Sequence, residues 1–238
     1  LDRVVAMKVL RGAGGAAIAR FMREARITAR LDHPNVPPVY GLEFLPDGGL
    51  VFTMRRLEGM TLGDAIRQAA TGEPPAAIRD VNAVVNLGLR LCEALTELAR
   101  CERHSGNADG AAKRFDEALG WARLLGSVDL LADLLCERGE LAADDALDAL
   151  QPTRDPDPDA WLLARACAAE AAVLAARTSD PGWEVQVLLR ASDLFNRLGS
   201  STEATALQTR ALQRQGGAAR PEPGPATAIQ ARAHPTLQ

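Results

Sequence analysis

The pattern of apolar and polar residues changes character about a quarter of the way along the chain. Arg3–Leu10 (RVVAMKVL) is an almost unbroken apolar, β-branched run with one charge in its middle, which predicts a strand. From Ala16 to Leu31, Ile18, Phe21, Met22, Ala25, Thr28 and Leu31 fall at helical spacing, which predicts an amphipathic helix. Val39–Leu45 and Leu50–Met54 are short apolar runs joined by Pro46-Asp47-Gly48-Gly49, a turn signal between paired strands. From Thr61 onward only helical spacing is found. The predicted helices are Asn82–Cys101, Asp109–Leu125 ending at Gly126, Val128–Arg138 ending at Gly139, and Ala142–Leu150 ending before Pro152. Ala160–Arg177 follows with Asp159 as its cap, then a helix opening at Asp180-Pro181, and after Gly199 a last helix over Thr202–Gln213. Gln151–Asp159 (QPTRDPDPD) reads as a stiff acidic linker, and Gly216–Gln238 as a disordered tail rich in Gly, Pro and Ala. The predicted fold class is α+β, with an α/β unit over residues 1–80 and an all-α region over 81–150 and 160–215.

Composition narrows the function classes. The 238 residues are 47% hydrophobic and 4% aromatic, and 27 basic against 31 acidic side chains leave a net charge of −4. That supplies a core, and the acidic balance, with no basic stripe interleaved with aromatics, argues against nucleic-acid binding. No window holds the roughly 18 uncharged apolar residues that a membrane span needs. Cys92, Cys101, Cys136 and Cys167 fall within apolar helical patterns and, like His33, His104 and His234, show no metal-ligand spacing. They read as small buried hydrophobes of a reducing, cytoplasmic protein. The chain opens on Leu1 with a strand-like pattern at once, as if it began inside a domain.

Only Lys8 and Lys113 among the 27 basic residues are lysines. A lysine in the middle of an apolar strand is costly unless its ammonium reaches water, a carboxylate or a phosphate. Glu24, on the helix that follows, is placed to pair with it if that helix packs on the sheet. A solvated edge for Lys8 and a solvated helix face for Glu24 is the plain alternative. The words around them, VVAMKVL, FMREARITARLDHPNVPPVYGLEF and GLVFTMRRLEGMTLGDAI, resemble the small lobe of bacterial serine/threonine protein kinases. The resemblance implies three strands plus that family's αC helix, with Lys8 as the ATP phosphate lysine and Glu24 as its partner. It implies Leu31-Asp32-His33-Pro34-Asn35 as a structural turn and Met54 as gatekeeper. Arg55, Arg56 and Leu57 become the adenine-binding hinge, and Gly59-x-Thr61-Leu62 opens the family's αD helix. Gly12-Ala13-Gly14-Gly15-Ala16-Ala17 also fits the dinucleotide fingerprint, but Asp32 ends a helix rather than a second strand, and a buried parallel strand would avoid Lys8.

Phosphoryl transfer also needs positioned Mg²⁺ and a residue that orients the attacking hydroxyl. The kinase family supplies both from HRDxxxxN and DFG. Val81–Arg100 can stand for the family's αE helix, but the next residues are Cys101-Glu102-Arg103-His104-Ser105-Gly106-Asn107, and His104 reads as an ordinary loop residue. Asp109-Gly110 lacks the DFG arrangement, and no Ala-Pro-Glu segment occurs. The resemblance therefore implies a truncated, pseudokinase-like chain: no catalytic residues, ATP held weakly, no Mg²⁺ site.

The helical part carries a second resemblance. Ala111, Phe115 and Ala118 take the small, aromatic and small positions of a tetratricopeptide-like second helix, and Leu95, Leu98 and Ala99 suit the helix before it. Glu102 stands where an aromatic is usual. The pattern returns at Leu188, Ala191, Ser192, Phe195, Gly199, Ala204 and Ala211, although the offset is not a whole number of the roughly 34-residue repeats. A generic helical bundle is the alternative. This resemblance implies a protein partner bound by the helices; the composition has already set nucleic acid and membrane aside. Two further functions stay open at this point: a pure interaction scaffold, and a fragment of an active ATP-dependent kinase.

Overall fold

The computed structural model describes residues 4–10, 14–46, 48–148 and 157–218. The expected starts at Leu1 and Arg3, Gly12 and Ala13 of the glycine run, Leu150, linker residues 151–156 and tail residues 219–238 lie outside them. The described residues form an α+β fold: a three-stranded antiparallel sheet and eight α-helices, with helix predominating.

Strands β1 (Val5–Leu10), β2 (Val39–Phe44) and β3 (Leu50–Arg55) lie in the order β1-β3-β2, so β3 is central. The predicted hairpin is present as β2–β3, its turn closed by the Leu45 amide donating to the Gly49 carbonyl at 2.7 Å. An all-antiparallel sheet has no βαβ crossover and so no dinucleotide-binding unit. Helix α1 (Gly15–Arg30) packs on one face of the sheet, where Phe21 and Ala25 meet Leu50 and Phe52 in a small core of their own. Thr61 then caps α2 (Leu62–Ala70), accepting from the Asp64 amide at 3.1 Å.

The remaining helices are α3 (Val81–His104), α4 (Ala108–Leu125), α5 (Val128–Asp148), α6 (Pro158–Ala175), α7 (Pro181–Arg197) and α8 (Ser201–Ala218). They pack as α3 on α4, α5 on α6 and α7 on α8, with α4–α5 and α6–α7 joining the pairs into one array. A second, larger core runs through it, and much of it is alanine: Ala111, Ala118, Ala168, Ala171, Ala191 and Ala204 are fully buried. Small side chains bury little area each, but they let helix backbones approach closely. Gly88 extends the same logic, since a Cβ there would stand 2.8 Å from Leu125 Cδ2.

Four predicted boundaries move. Gly139 does not stop a helix; α5 runs straight through it, and a Cβ at that position would lie 3.1 Å from both Cys167 and Leu194. This glycine is a close-approach site for α6 and α7, unlike Gly126 and Gly199, which do end helices with φ of 67° and 74°. The cap of α6 is Asp157, accepting from the Asp159 and Ala160 amides, with Pro158 in the first turn, so Asp159 lies inside the helix. Residues 157–159 thus belong to α6 rather than to a linker. His104 is the last residue of α3, not a loop residue. Helix α8 continues to Ala218, carried over Gly216 by the helix formers Gln213, Arg214 and Gln215, so the expected tail is helical at its start. Among the described residues, no helix is long and apolar enough to cross a membrane.

Candidate functional site

Lys8 stands opposite Phe52 in the β1–β3 register, so both side chains leave the sheet on the face that α1 covers. Phe21 anchors α1 there, its ring 5.0 Å from that of Phe52. Glu24 follows three residues later on the same side of the helix. The result is an ion pair, Lys8 Nζ to Glu24 Oε1 at 2.5 Å, with the ammonium 5.7 Å and 5.9 Å from the Phe52 and Phe21 ring centres. Both partners remain about half exposed, at 45% and 51%. A pair so hydrated contributes only about 0–1 kcal/mol to folding.

One wall of a cavity of about 310 Å³ is formed by this pair, together with Phe52 and Met54 of β3. The opposite wall is α3, which presents Leu91, Ala94, Leu95 and Leu98. The turn after α1 ties the two walls together: Asn35 Nδ2 donates to the Arg90 carbonyl of α3 at 3.4 Å, and the Asn35 amide donates to His33 Nδ1 at 3.2 Å. The cavity is apolar apart from one cation, one carboxylate and the Thr28 hydroxyl, which is committed to the Glu24 carbonyl at 2.9 Å. Such a space suits a flat apolar group with one anionic end.

The structure brings Lys8, Glu24 and Met54 to this cavity and leaves Arg55 and Leu57 outside it. Arg55 ends β3 with its amide donating to the Pro38 carbonyl at 3.1 Å, and Leu57 is 70% exposed. The α3 wall is the part that the sequence did not assign to the site. Its signal, Leu91, Leu95 and Leu98 at spacings of four and three, was visible but equally suited a helix buried against its neighbours.

His104 donates or accepts through Nδ1 with the Arg100 carbonyl at 2.7 Å, which ties the ring to its own helix. Among the described residues, no group of three or more His, Cys, Asp or Glu side chains could hold a metal ion. All four cysteines are free. Burial pushes the Cys136 thiol up to about 12 and the Cys167 thiol to about 11, far from thiolate chemistry at neutral pH.

A sheet with a lysine–glutamate pair facing a helix defines a small α/β unit attached to a helical array, and part of the chain has recognisable relatives. It is 36% identical over 89 residues to the serine/threonine-protein kinase PrkC of Bacillus subtilis (strain 168), covering 36% of this chain and 14% of that protein. It is 40% identical over 65 residues to the serine/threonine-protein kinase pkn3 of Myxococcus xanthus, covering 26% of this chain and 12% of that one. The chain thus has partial similarity to bacterial serine/threonine kinases and spans about one-seventh or less of the length of these relatives. No family profile matches it. Among solved structures, BtubC (BKLC) from P. vanneervenii superposes on 62% of this chain and 55% of its own, at 14% identity and a TM-score of 0.45, too loose a likeness to inform function.

Proposed function

We propose that this chain is a kinase-related binding protein: a remnant nucleotide pocket on a small-lobe-like unit, joined to tetratricopeptide-like helical hairpins that recognise a protein partner. The observation that carries the first half is the Lys8–Glu24 pair at the cavity wall. An exposed pair in the middle of an apolar strand stabilises the fold little, and an apolar residue at position 8 would pack better, so the lysine is better accounted for by a ligand phosphate. Met54 beside it contributes an apolar surface suited to a base. Partial similarity to two serine/threonine kinases supports the same reading.

Phosphoryl transfer is not part of the proposal. The stretch after α3 offers no residue in the positions that would orient a hydroxyl or hold Mg²⁺, and His104 is engaged with its own helix. The second half rests on the paired helices and on the burial of Ala111, Phe115, Ala118, Leu188, Ala191 and Ala204 at the small and aromatic positions of the repeat pattern.

A second reading, a pure scaffold in which the sheet unit only packs on the helices, is favoured by the apolar α3 wall that faces Lys8. Thermal-shift titration with ATP separates the two. A rise in melting temperature that disappears in Lys8→Met and Glu24→Gln supports the pocket, whereas no shift in the parent chain supports the scaffold. Incubation with labelled MgATP and a basic protein substrate tests the rest; transfer that depends on Lys8 would refute a binding-only role.

A further inference from the structure

We propose that the arginine row on α1 docks an acidic, extended peptide segment of a partner protein, seated between α1 and the end of α3. Helix α1 carries Arg20, Arg23, Arg26 and Arg30 against Glu24 alone, a local charge of +3 in a chain of net charge −4. All four guanidinium groups are exposed, and none has a carboxylate partner among the described residues, Glu24 being taken by Lys8. In the helical array Arg90 of α3 is likewise without a carboxylate among the described residues, whereas the other arginines of α3 to α8 are ion-paired. Successive arginines three and four residues apart on one helix repel one another, a cost to the helix that a bound anion would remove.

Two cavities flank the row. The larger, about 590 Å³, has Arg23, Arg26, Arg30, His104 and Ser105 in its wall and no carboxylate. The smaller, about 450 Å³, includes Arg20 and Arg114 but also Glu24 and Glu102. Anionic groups therefore seat in the larger one. From Arg20 to Arg30 the row extends about 15 Å along the helix, the length of four or five extended residues, which fits a string of carboxylates better than a single phosphate. Guanidinium forks match carboxylates bidentately. Apart from the His104 imidazole, no aromatic ring lines the larger cavity to stack a nucleobase, which disfavours a nucleic acid. This docking does not depend on nucleotide binding at Lys8.

The test is fluorescence anisotropy of a labelled Glu/Gly dodecapeptide against the full chain at low and high salt, with a Lys/Gly dodecapeptide as control. The variants are Arg23→Glu/Arg26→Glu and the milder Arg26→Ala/Arg30→Ala, with Arg177→Glu as a distant charge change and melting curves to confirm folding. The proposal expects salt-sensitive binding of the acidic peptide alone, weakened at least tenfold by either α1 variant and unchanged by Arg177→Glu. It is overturned if the acidic peptide does not bind or if both α1 variants bind it within twofold of the parent. Tighter binding of a single-stranded oligonucleotide, or sedimentation showing that the row instead joins two copies of this chain, would also overturn it.

Discussion

Glu184 offers the clearest test of how the helical array is held together. Its side chain, in the first turn of α7, is only 5% exposed, and it accepts from Arg210 at 2.9 Å and Arg214 at 2.6 Å, both on α8. The two arginines are 37% and 50% exposed. The pair is therefore asymmetric. Glu184→Gln frees two guanidinium groups that can turn to water, so it loses charge-assisted hydrogen bonds already weakened by solvent, about 1–2 kcal/mol. Arg210→Ala/Arg214→Ala leaves a buried carboxylate with no partner, which costs about 3–5 kcal/mol. Adding Glu184→Gln to the double arginine variant should recover part of that loss, because it removes the stranded charge. Urea unfolding followed by far-ultraviolet circular dichroism measures all four chains. The pH dependence has a defined sign. Burial opposes ionisation of Glu184, but the hydrogen bonds from Arg210 and Arg214 outweigh it and hold its pKa below the ordinary value. Its stabilisation is then complete above the unfolded glutamate pKa of about 4.3 and is lost as pH falls through the lower native value. The gap between the parent and Glu184→Gln should be widest above about pH 5 and close in stronger acid. A glutamine variant less stable than the double arginine variant, or a gap that widens on acidification, would mean that Glu184 is not the buried, charge-dependent member of this cluster.

Three further outcomes follow from the same structure. Gly139→Val should destabilise by about 1–3 kcal/mol in chemical unfolding, because its side chain enters the contact with Cys167 and Leu194; a neutral result would mean that α5 does not pass this closely. In native thiol titration at pH 8, Cys101, the least buried cysteine, should react first, and Cys136 and Cys167, with thiols pushed up to about 12 and about 11, only as the protein unfolds. Lys8→Met should change folding stability by no more than about 1 kcal/mol, since the lost ion pair is half exposed; a larger loss in urea titration would make Lys8 a structural residue.

The sheet unit was legible because its elements differ in period. Short apolar, β-branched runs and a turn signal marked the strands, and the three-and-four spacing of Ile18, Phe21 and Ala25 marked the face of α1 that packs on them. Lys8 and Glu24 could be matched in advance only as one of two readings, because a charge inside an apolar strand is satisfied by water as well as by a carboxylate; the likeness of the surrounding residues to a kinase small lobe favoured the pair. Gly139 was misread because a glycine's neighbours in sequence do not reveal its φ; only Cys167 and Leu194, brought close by α6 and α7, show why it lacks a side chain. Asp157 and Asp159 offer the same cap chemistry, and Pro158 between them was the deciding signal, since proline belongs in the first turn. The α3 wall of the cavity was hidden for a different reason. Leu91, Leu95 and Leu98 fit any buried helix face, and which neighbour they meet is a property of the fold. The arginine row on α1 was readable as spacing, but its lack of carboxylate partners among the described residues emerges only beside the paired arginines of α4 to α8.

Isothermal titration of ATP into the full chain and into Lys8→Met shows whether the Lys8–Glu24 cavity holds a nucleotide. A saturable heat of binding, weak but measurable, is expected in the parent chain, and its loss in Lys8→Met without loss of folding. No heat in the parent, or the same heat in both chains, would contradict a nucleotide pocket built on Lys8 and Glu24.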